Sequence, residues 1–260
     1  MANLLVEREA PIGWLTFHNP ERRNAVTLDM WRAIPGILDD FARDDTVRVV
    51  VLRGAGDEAF VAGADISEFK TLRTDPDAAQ VYNHATNAAF LSLKNASKPV
   101  VAMIRGFCFG GGCAIALHCD LRIAADDARF CIPAAKLGIA YGYEGVKQVI
   151  HVVGPAFARE MLYTARVYDS EEALRMGLVH QRVPAQDLEG FTRSYVRAMA
   201  DNAPLTLSSV KIAIDEYLKD PADRNETKIA EAMEQCFASS DYQEGYGAFL
   251  EKRKPVFQGH

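Results

Sequence analysis

Short strand-like segments alternate with helical ones through the first half of this chain, and after Gly145 the pattern is helical. Ile12–His18 has the composition of a β-strand, and Thr27–Arg43 then places apolar residues three and four positions apart, which predicts a helix with one buried face. Pro99–Ile104 is typical of a buried strand and follows a predicted helix at about Pro76–Lys94. Repeated strand and helix units before a helical region predict an α/β fold.

The composition excludes several classes of protein. The 260 residues include 29 basic and 35 acidic side chains, a net charge of −6, so we expect neither nucleic acid nor a membrane surface as a partner. The longest apolar stretch, Gly106–Leu117, is shorter than the roughly 20 residues of a membrane-spanning helix, and Met1–Ala10 lacks the apolar core of a signal peptide. The five cysteines form no Cys-x-x-Cys pair, which favours buried thiols, no metal site and a cytoplasmic protein.

Two loops of small residues follow predicted strands. The first is the loop at Ala62–Ile66, and the second is Gly110–Gly112, which joins a strand to a helix that runs through Leu117. Glycines at such a turn leave backbone N–H groups bare at a helix N-terminus, where they can stabilise negative charge. A glycine run by itself is more often a tight turn. A P-loop is excluded, since no Gly-Lys-Ser/Thr follows.

The order of several motifs along the whole chain resembles the enoyl-CoA hydratase/isomerase (crotonase) superfamily. The motifs are Ala62-Gly63-Ala64-Asp65-Ile66, Lys98-Pro99-Val100, Gly110-Gly111-Gly112, Cys119-Asp120, Leu137-Gly138, Ala173-x-x-Met176-Gly177-Leu178-Val179 and Phe249-Leu250-Glu251-Lys252-Arg253-Lys254-Pro255. The resemblance implies a spiral of β-β-α units with an acyl-CoA site over residues 1–195 and a C-terminal helical trimerisation region over residues 196–260. It also implies a homotrimer or homohexamer that binds an acyl-CoA thioester, with coenzyme A as part of the substrate and no separate cofactor.

The resemblance also implies which residues form the site. The backbone N–H groups of Ala64 and Gly111 would stabilise a thioester enolate, and each such donor is often worth about 3 kcal/mol in the transition state. The implied substrate-binding residues are Ala62, Asp65, Ile66, Gly110, Ala114, Pro133, Ala134, Phe249 and Lys252. Of these, Phe249 and Lys252 would reach the nucleotide of coenzyme A from a neighbouring subunit.

One departure from the family concerns the coenzyme. Ser67 stands where hydratases of the family have a lysine. Lys70, Arg22 or Arg23 could substitute for it, and the sequence does not choose between them.

A second departure concerns the reaction. Hydratases of this family use two glutamates to position water and transfer protons, and the matching residues here are Ala114 and Ala134. A methyl group can do neither. Ordinary hydration would therefore need an acid or base from another position.

Decarboxylation needs no base, because loss of CO2 from a malonyl-type thioester produces the enolate directly. Tyr141 matches a tyrosine of bacterial methylmalonyl-CoA decarboxylases, which the chain partly resembles, and could hold the carboxylate or protonate the enolate. Those enzymes carry histidine where this chain has Ala64. We therefore expect decarboxylation of a small malonyl-type coenzyme A ester.

Two alternatives stay open. The chain could be a hydratase or double-bond isomerase with Glu144 or Tyr141 as a relocated acid or base, although Glu144 also suits the first turn of a helix. It could instead be a non-catalytic acyl-CoA-binding subunit. His84, on the helix beside the first loop, is a further candidate for the acyl pocket.

Overall fold

The described strands of the protein form two sheets. The structure is a computed structural model that describes residues 2–68 and 76–260, with the backbone alone for residues 66 and 76–79. The strands are β1 (Asn3–Glu9), β2 (Ile12–His18), β3 (Val49–Gly54), β4 (Ala59–Val61), β5 (Val100–Ile104), β6 (Phe107–Phe109), β7 (Leu121–Ala125), β8 (Arg129–Cys131), β9 (Tyr168–Asp169) and β10 (Gln181–Val183). In the described part, one sheet has the order β1-β2-β3-β5-β7-β10 and the other β4-β6-β8-β9. Neighbouring strands are parallel except β1 with β2 and β8 with β9.

The helices agree closely with the sequence periodicity. They are α1 (Leu28–Arg43), α2 (Pro76–Lys94), α3 (Gly111–His118), α4 (Tyr143–Thr164), α5 (Ser170–Arg175), α6 (Leu188–Ala200), α7 (Pro204–Tyr217), α8 (Glu226–Ala238) and α9 (Ser240–Glu251). Helix α1 is capped by the Thr27 hydroxyl, which accepts from the Met30 N–H, and continues through Pro35. Helix α4 has a non-helical Gly154 (φ 73°) that divides it into two helical segments.

The chain alternates between the two sheets. Strands β3, β5 and β7 lie in the larger sheet, and each is followed by a short strand of the smaller one, β4, β6 and β8. Helix α2 follows the first of these pairs, α3 the second and α4 the third. This succession confirms the predicted α/β spiral of β-β-α units. Strand β1 had no clear sequence signal, because it is an edge strand with mostly exposed side chains.

The core lies on both faces of the larger sheet. One face packs against α1 and the helices that follow it, with Trp31, Phe41 and Phe130 fully buried. The other face packs Trp14 against residues of α6, including Val196. The first of these packed layers sets the positions of α2 and α3, which carry much of the site described below.

The C-terminal helices pack on one another and leave apolar side chains exposed. Helix α7 contacts α8, and α8 contacts α9. Large apolar side chains stay at least half exposed on these helices, namely Val210, Ile214, Tyr217, Met233, Phe237, Tyr242, Tyr246, Phe249 and Leu250. The predicted trimerisation stays a prediction, and so does the division at residue 195, which falls inside α6.

Two further sequence expectations concern cysteines and membranes. Four cysteines are buried, as expected, but Cys236 on α8 is partly exposed. Across the described ranges, no helix combines the length and the apolar character needed to cross a membrane.

Candidate active site

A cavity of about 830 Å³ opens between the first glycine loop and three helices. The loop contributes Ala62–Ala64, α2 contributes residues spaced four apart from Tyr82 to Lys94, and α3 and α4 form the remaining sides. A pocket of this size and concavity is typical of a small-molecule or cofactor site.

The first loop is held to the segment before α1 by backbone hydrogen bonds. The Val26 N–H donates to the Gly63 carbonyl at 2.9 Å, and the Asp65 N–H donates to the Val26 carbonyl at 2.9 Å. Glu68 adds a second link, because its carboxylate accepts from the Leu28 N–H at 2.8 Å. Backbone ladder bonds on both sides of Ala64 therefore set the direction of its own N–H.

The Asp65 carboxylate supports this loop from within. It is buried, and one of its oxygens accepts from Arg22 Nη1 at 2.9 Å and from the N–H and hydroxyl of Ser67 at 3.0 and 2.7 Å. Asp65 and Ser67, both singled out in the sequence, thus hold the loop in shape. Among the described residues that line the cavity, neither is present.

The second loop brings α3 against β4, and glycine is required there for two reasons. Gly110 has a φ of +49°, which side chains disfavour. A β-carbon at Gly112 would lie 2.0 Å from the Val61 carbonyl oxygen, so no other residue fits without moving the helix. The Gly110 N–H is used in the smaller sheet, where it donates to the Cys131 carbonyl at 2.8 Å.

The backbone amides of Ala64 and Gly111 lie close together. The Ala64 nitrogen lies 3.4 Å from the point where a β-carbon on Gly111 would stand, and the Gly111 nitrogen lies 3.9 Å from the corresponding point on Gly63. Within the described ranges, neither N–H donates to a protein acceptor. Two free donors at the N-terminus of α3 are suited to an oxygen that carries negative charge.

The wall beside these amides is apolar. Ala114 and Ala134 both line the cavity, together with Ile132 and Pro133. Trp31 also lines the cavity, and its indole N–H donates to the Tyr82 hydroxyl at 3.0 Å. The structure therefore brings the two alanines into one cavity, as their sequence positions implied.

Tyr141 lies in the same cavity with its phenol protonated. Its ring packs against Gly145, where an added β-carbon would be 2.8 Å from a ring carbon. Burial raises the pKa of the phenol, and the nearby Cys113 thiol adds to the rise. Tyr141 can therefore donate a hydrogen bond or a proton at any physiological pH.

The opposite end of the cavity carries charged and polar side chains. Glu144, in the first turn of α4, is exposed and is the one carboxylate among the described lining residues. His118 packs its ring on Phe90, with centroids 4.6 Å apart and planes at 12°, and its Nδ1 lies 2.7 Å from the Ala114 carbonyl. Burial lowers the pKa of His118, so its ring is neutral at pH 7.

Sequence reasoning missed the basic residues at this end. Lys94, His118, Lys147 and His151 line it, from three different helices. A four-residue spacing does link Tyr82, Thr86, Phe90 and Lys94 on α2, and Ala114 and His118 on α3, and this spacing was a usable signal.

Other predicted residues lie away from the cavity or outside the described part. His84 is exposed and absent from the lining, so the expectation that it reaches the pocket is wrong. Arg23 pairs with Glu58 at 2.6 Å and lies over the Phe107 ring. Lys70 lies outside the described residues, and Ile66 is described by its backbone alone, at the start of a 3₁₀ turn.

Two of the implied coenzyme contacts are on the C-terminal helix. Phe249 is 81% exposed, and Lys252 ends α9 with a φ of 55°. Neither lines this chain's cavity among the residues described, and their predicted role in a neighbouring subunit stays a prediction.

Comparisons with known proteins agree on one family. Residues 7–260 match the profile of the enoyl-CoA hydratase/isomerase family. The chain is 34% identical over 252 residues to a short-chain-enoyl-CoA hydratase of Clostridium acetobutylicum, covering 97% of this chain and 96% of that protein. It is 34% identical over 255 residues to a crotonyl-CoA hydratase of Syntrophomonas wolfei, with 98% and 97% covered.

A solved structure shares the whole fold. An enoyl-CoA hydratase/carnitine racemase from Magnetospirillum magneticum gives a TM-score of 0.94 at 35% identity, covering 100% of this chain and 97% of that one. The crotonase-type fold implied by the sequence motifs is confirmed by this match.

Proposed function

The chain belongs to the enoyl-CoA hydratase/isomerase family and acts on acyl-CoA thioesters, and from this premise we propose that it decarboxylates a small malonyl-type coenzyme A ester. The observation that carries the proposal is an apolar wall next to two free amides. Ala114 and Ala134 stand on that wall beside the N–H groups of Ala64 and Gly111. Such a site can stabilise an enolate, and among the described lining residues the one carboxylate, Glu144, is not part of this wall.

The proposed step starts with the thioester oxygen between the two amides. The bond between the α-carbon and the carboxylate breaks, and CO2 leaves. The electron pair of that bond forms the carbon–carbon double bond of the enolate, and the negative charge moves to the thioester oxygen, where Ala64 and Gly111 donate hydrogen bonds. Donors fixed before the reaction stabilise this charge without reorganisation.

The apolar wall favours the same step. A glutamate at position 114 or 134 would repel the substrate's carboxylate. Methyl groups leave that carboxylate poorly solvated, which favours the more diffuse charge of the transition state.

Tyr141 completes the reaction in this proposal. Its phenol transfers a proton to the α-carbon of the enolate, and solvent then returns a proton to the phenolate. Burial raises the pKa of this phenol, so the group carries its proton when the enolate forms.

The test is an NMR time course in D2O with methylmalonyl-CoA and crotonyl-CoA in parallel. Loss of CO2, with one deuteron at the α-carbon of propionyl-CoA, is the expected result. Stable methylmalonyl-CoA together with turnover of crotonyl-CoA would contradict the proposal.

Hydration is the second candidate, because the similar proteins from C. acetobutylicum and S. wolfei are named hydratases. In that reaction Glu144 would act as the acid or base, since it is the carboxylate among the described lining residues. Isomerisation of the double bond would use the same residue. Addition of water to crotonyl-CoA in the NMR experiment would favour this candidate.

Finally, we propose a cytoplasmic homotrimer or homohexamer. The exposed apolar side chains of α7, α8 and α9, Phe249 among them, support an oligomerisation surface in this region. Light scattering coupled to size-exclusion chromatography distinguishes a trimer, a hexamer and a monomer.

A further inference from the structure

Four basic side chains line the end of the cavity opposite the amides: Lys94, His118, Lys147 and His151. We refer to them as the outer site. We propose that the outer site binds a carboxylate at the far end of the substrate's acyl chain. The substrate would then be a coenzyme A thioester whose acyl chain ends in a second acid group. This inference rests on the proposed function, because it places the thioester at the two amides.

The two lysines of the outer site have no anionic partner in the part of the chain that is described. Lys94 ends α2 and Lys147 lies in the second turn of α4, and both are half-buried. By contrast, Lys211, also on a helix packed in this region, forms an ion pair with Asp120 at 2.8 Å. Lys147 lies over the Tyr143 ring, whose centroid is 5.8 Å from its Nζ. A ligand carboxylate would supply both ammonium groups with charge-assisted hydrogen bonds.

The orientation of the His118 ring leaves its second nitrogen for a ligand. A carbonyl oxygen can only accept, so the 2.7 Å contact of His118 Nδ1 with Ala114 puts the ring proton on Nδ1. Among the described residues, the Nε2 atom has no hydrogen-bond partner. In the neutral ring Nε2 is an acceptor, and a carboxylate bound beside it would favour the protonated ring, in which Nε2 donates. Helix α3 and the Phe90 ring hold the imidazole in this orientation.

The charged side chains that line the outer site are mostly basic. Burial lowers the pKa of both His118 and His151, and the charge of Lys94 lowers them further, as does Lys147 for His151. Glu144 acts in the opposite direction on both rings. Among the charged side chains that line the outer site, Lys94 and Lys147 outnumber Glu144, and an anion can complement this excess of positive charge.

One more acidic residue, Asp215, interacts electrostatically with Lys94 of this site. Burial raises the pKa of Asp215 on α7, and the charges of Lys211 and then Lys94 oppose that rise. Asp215 forms no ion pair with Lys94 in the described part of the chain, so this lysine stays available to a ligand.

The surface between the two ends suits methylene groups. Gly111 and His118 are seven residues apart on α3, which corresponds to about 10 Å along the helix axis. Ala114, Phe90 and Leu91 contribute apolar surface in the same cavity. A chain of several methylenes can therefore extend from the amides to the outer site. The proposed decarboxylation needs only the carboxylate on the α-carbon, so methylmalonyl-CoA tests that step alone. A substrate whose substituent on the α-carbon is longer than a methyl group would also reach the outer site.

The test compares two ligands that differ only at the chain end, adipyl-CoA and hexanoyl-CoA, by isothermal titration calorimetry. Wild-type protein is expected to bind adipyl-CoA about tenfold more tightly. The double variant Lys94→Met/Lys147→Met should lose this preference and keep its Kd for hexanoyl-CoA. The control is Lys136→Met, an exposed lysine outside the described lining, which should keep the preference.

Equal or weaker binding of adipyl-CoA by the wild type would overturn the inference, and so would a preference that persists in the double variant. If hexanoyl-CoA binds without any preference for adipyl-CoA, the outer site alone is wrong. If neither thioester binds, the proposed function fails as well. If the double variant does not fold, Lys94→Gln and Lys147→Gln are measured separately, and each should lose part of the preference.

Discussion

The amide nitrogen of Ala64 lies 3.4 Å from the point at which a β-carbon on Gly111 would stand. The two residues come from separate loops, and the parallel pairing of β4 with β6 brings these loops together. The space between their N–H groups exists because Gly111 has no side chain. A methyl group there would also lie 3.3 Å from the Trp31 ring.

We therefore predict that Gly111→Ala lowers kcat about a hundredfold, the scale of losing one oxyanion donor. The added methyl group occupies the space meant for the thioester oxygen, and the Trp31 ring must shift by a few tenths of an ångström to admit it. Steady-state kinetics with methylmalonyl-CoA measure the loss, and circular dichroism checks folding. A variant with unchanged kcat would show that the two amides do not hold the oxyanion.

Tyr141→Phe should lower the rate of decarboxylation about a hundredfold, as expected for loss of a general acid. The ring still packs on Gly145, so stability should change little. CO2 release and deuterium incorporation from D2O measure the effect. Tyr163→Phe is the matched control, because Tyr163 is 76% exposed and lies outside the described lining. Equal rates in both variants would remove Tyr141 from the mechanism.

Ala114→Glu should slow decarboxylation about tenfold or more. The new carboxylate would enter the apolar wall and repel the carboxylate of the substrate. Ala114→Gln has nearly the same shape without the charge and should be slowed less. The comparison of kcat for these two variants isolates the charge. If glutamate and glutamine slow the reaction equally, only the size of the side chain matters.

Glu144→Gln separates the two candidate reactions. Under the decarboxylation proposal its rate of CO2 release stays within about twofold of wild type, since no base is needed in that step. Any hydration of crotonyl-CoA should disappear, because the amide cannot act as an acid or base. Absorbance of the enoyl thioester follows hydration, and Glu234→Gln on the exposed face of α8 serves as the control. Hydration at full rate in Glu144→Gln would require another group.

Stability should depend on pH through Glu244. Hydrogen bonds from Arg253 at 2.6 and 2.8 Å, and from the Val256 N–H at 2.8 Å, lower the pKa of Glu244 from 4.5 to about 2. A pKa that is lower in the folded state gives stability that is full above pH 4.5 and is lost as the pH falls towards 2.

Glu244→Gln should therefore destabilise the protein at pH 7 and much less at pH 3. Urea unfolding at both pH values measures the difference in midpoint between variant and wild type. The same difference at both pH values would mean that the Glu244 charge contributes nothing to folding.

Periodicity and motif spacing predicted a large part of the fold. Apolar residues three and four apart located α1 to within one residue, and glycines between a strand and a helix located the start of α3. These signals are local, because a helix repeats every 3.6 residues and a tight turn needs glycine wherever it occurs. Edge strand β1 gave no such signal, since its exposed side chains need not alternate.

Local sequence patterns did not predict the roles of individual polar side chains. Asp65 lies in a loop that the motifs tie to coenzyme A, yet its carboxylate is used by Arg22 and Ser67. His84 lies on α2, as predicted, but on its exposed face, whereas Phe90 and Lys94 of the same helix line the cavity. One residue of offset on a helix turns a side chain by about 100°, and only packing shows which face is covered.

The sequence by itself determined the family, the β-β-α order and the absence of both glutamates, since Ala114 and Ala134 are read directly at their positions. Tertiary structure decided which groups share the cavity. Two amides meet there because parallel strands align two loops, and Lys94, His118 and Lys147 meet because three helices pack together. Such contacts join residues distant in the chain, and their distances depend on packing that no local pattern contains.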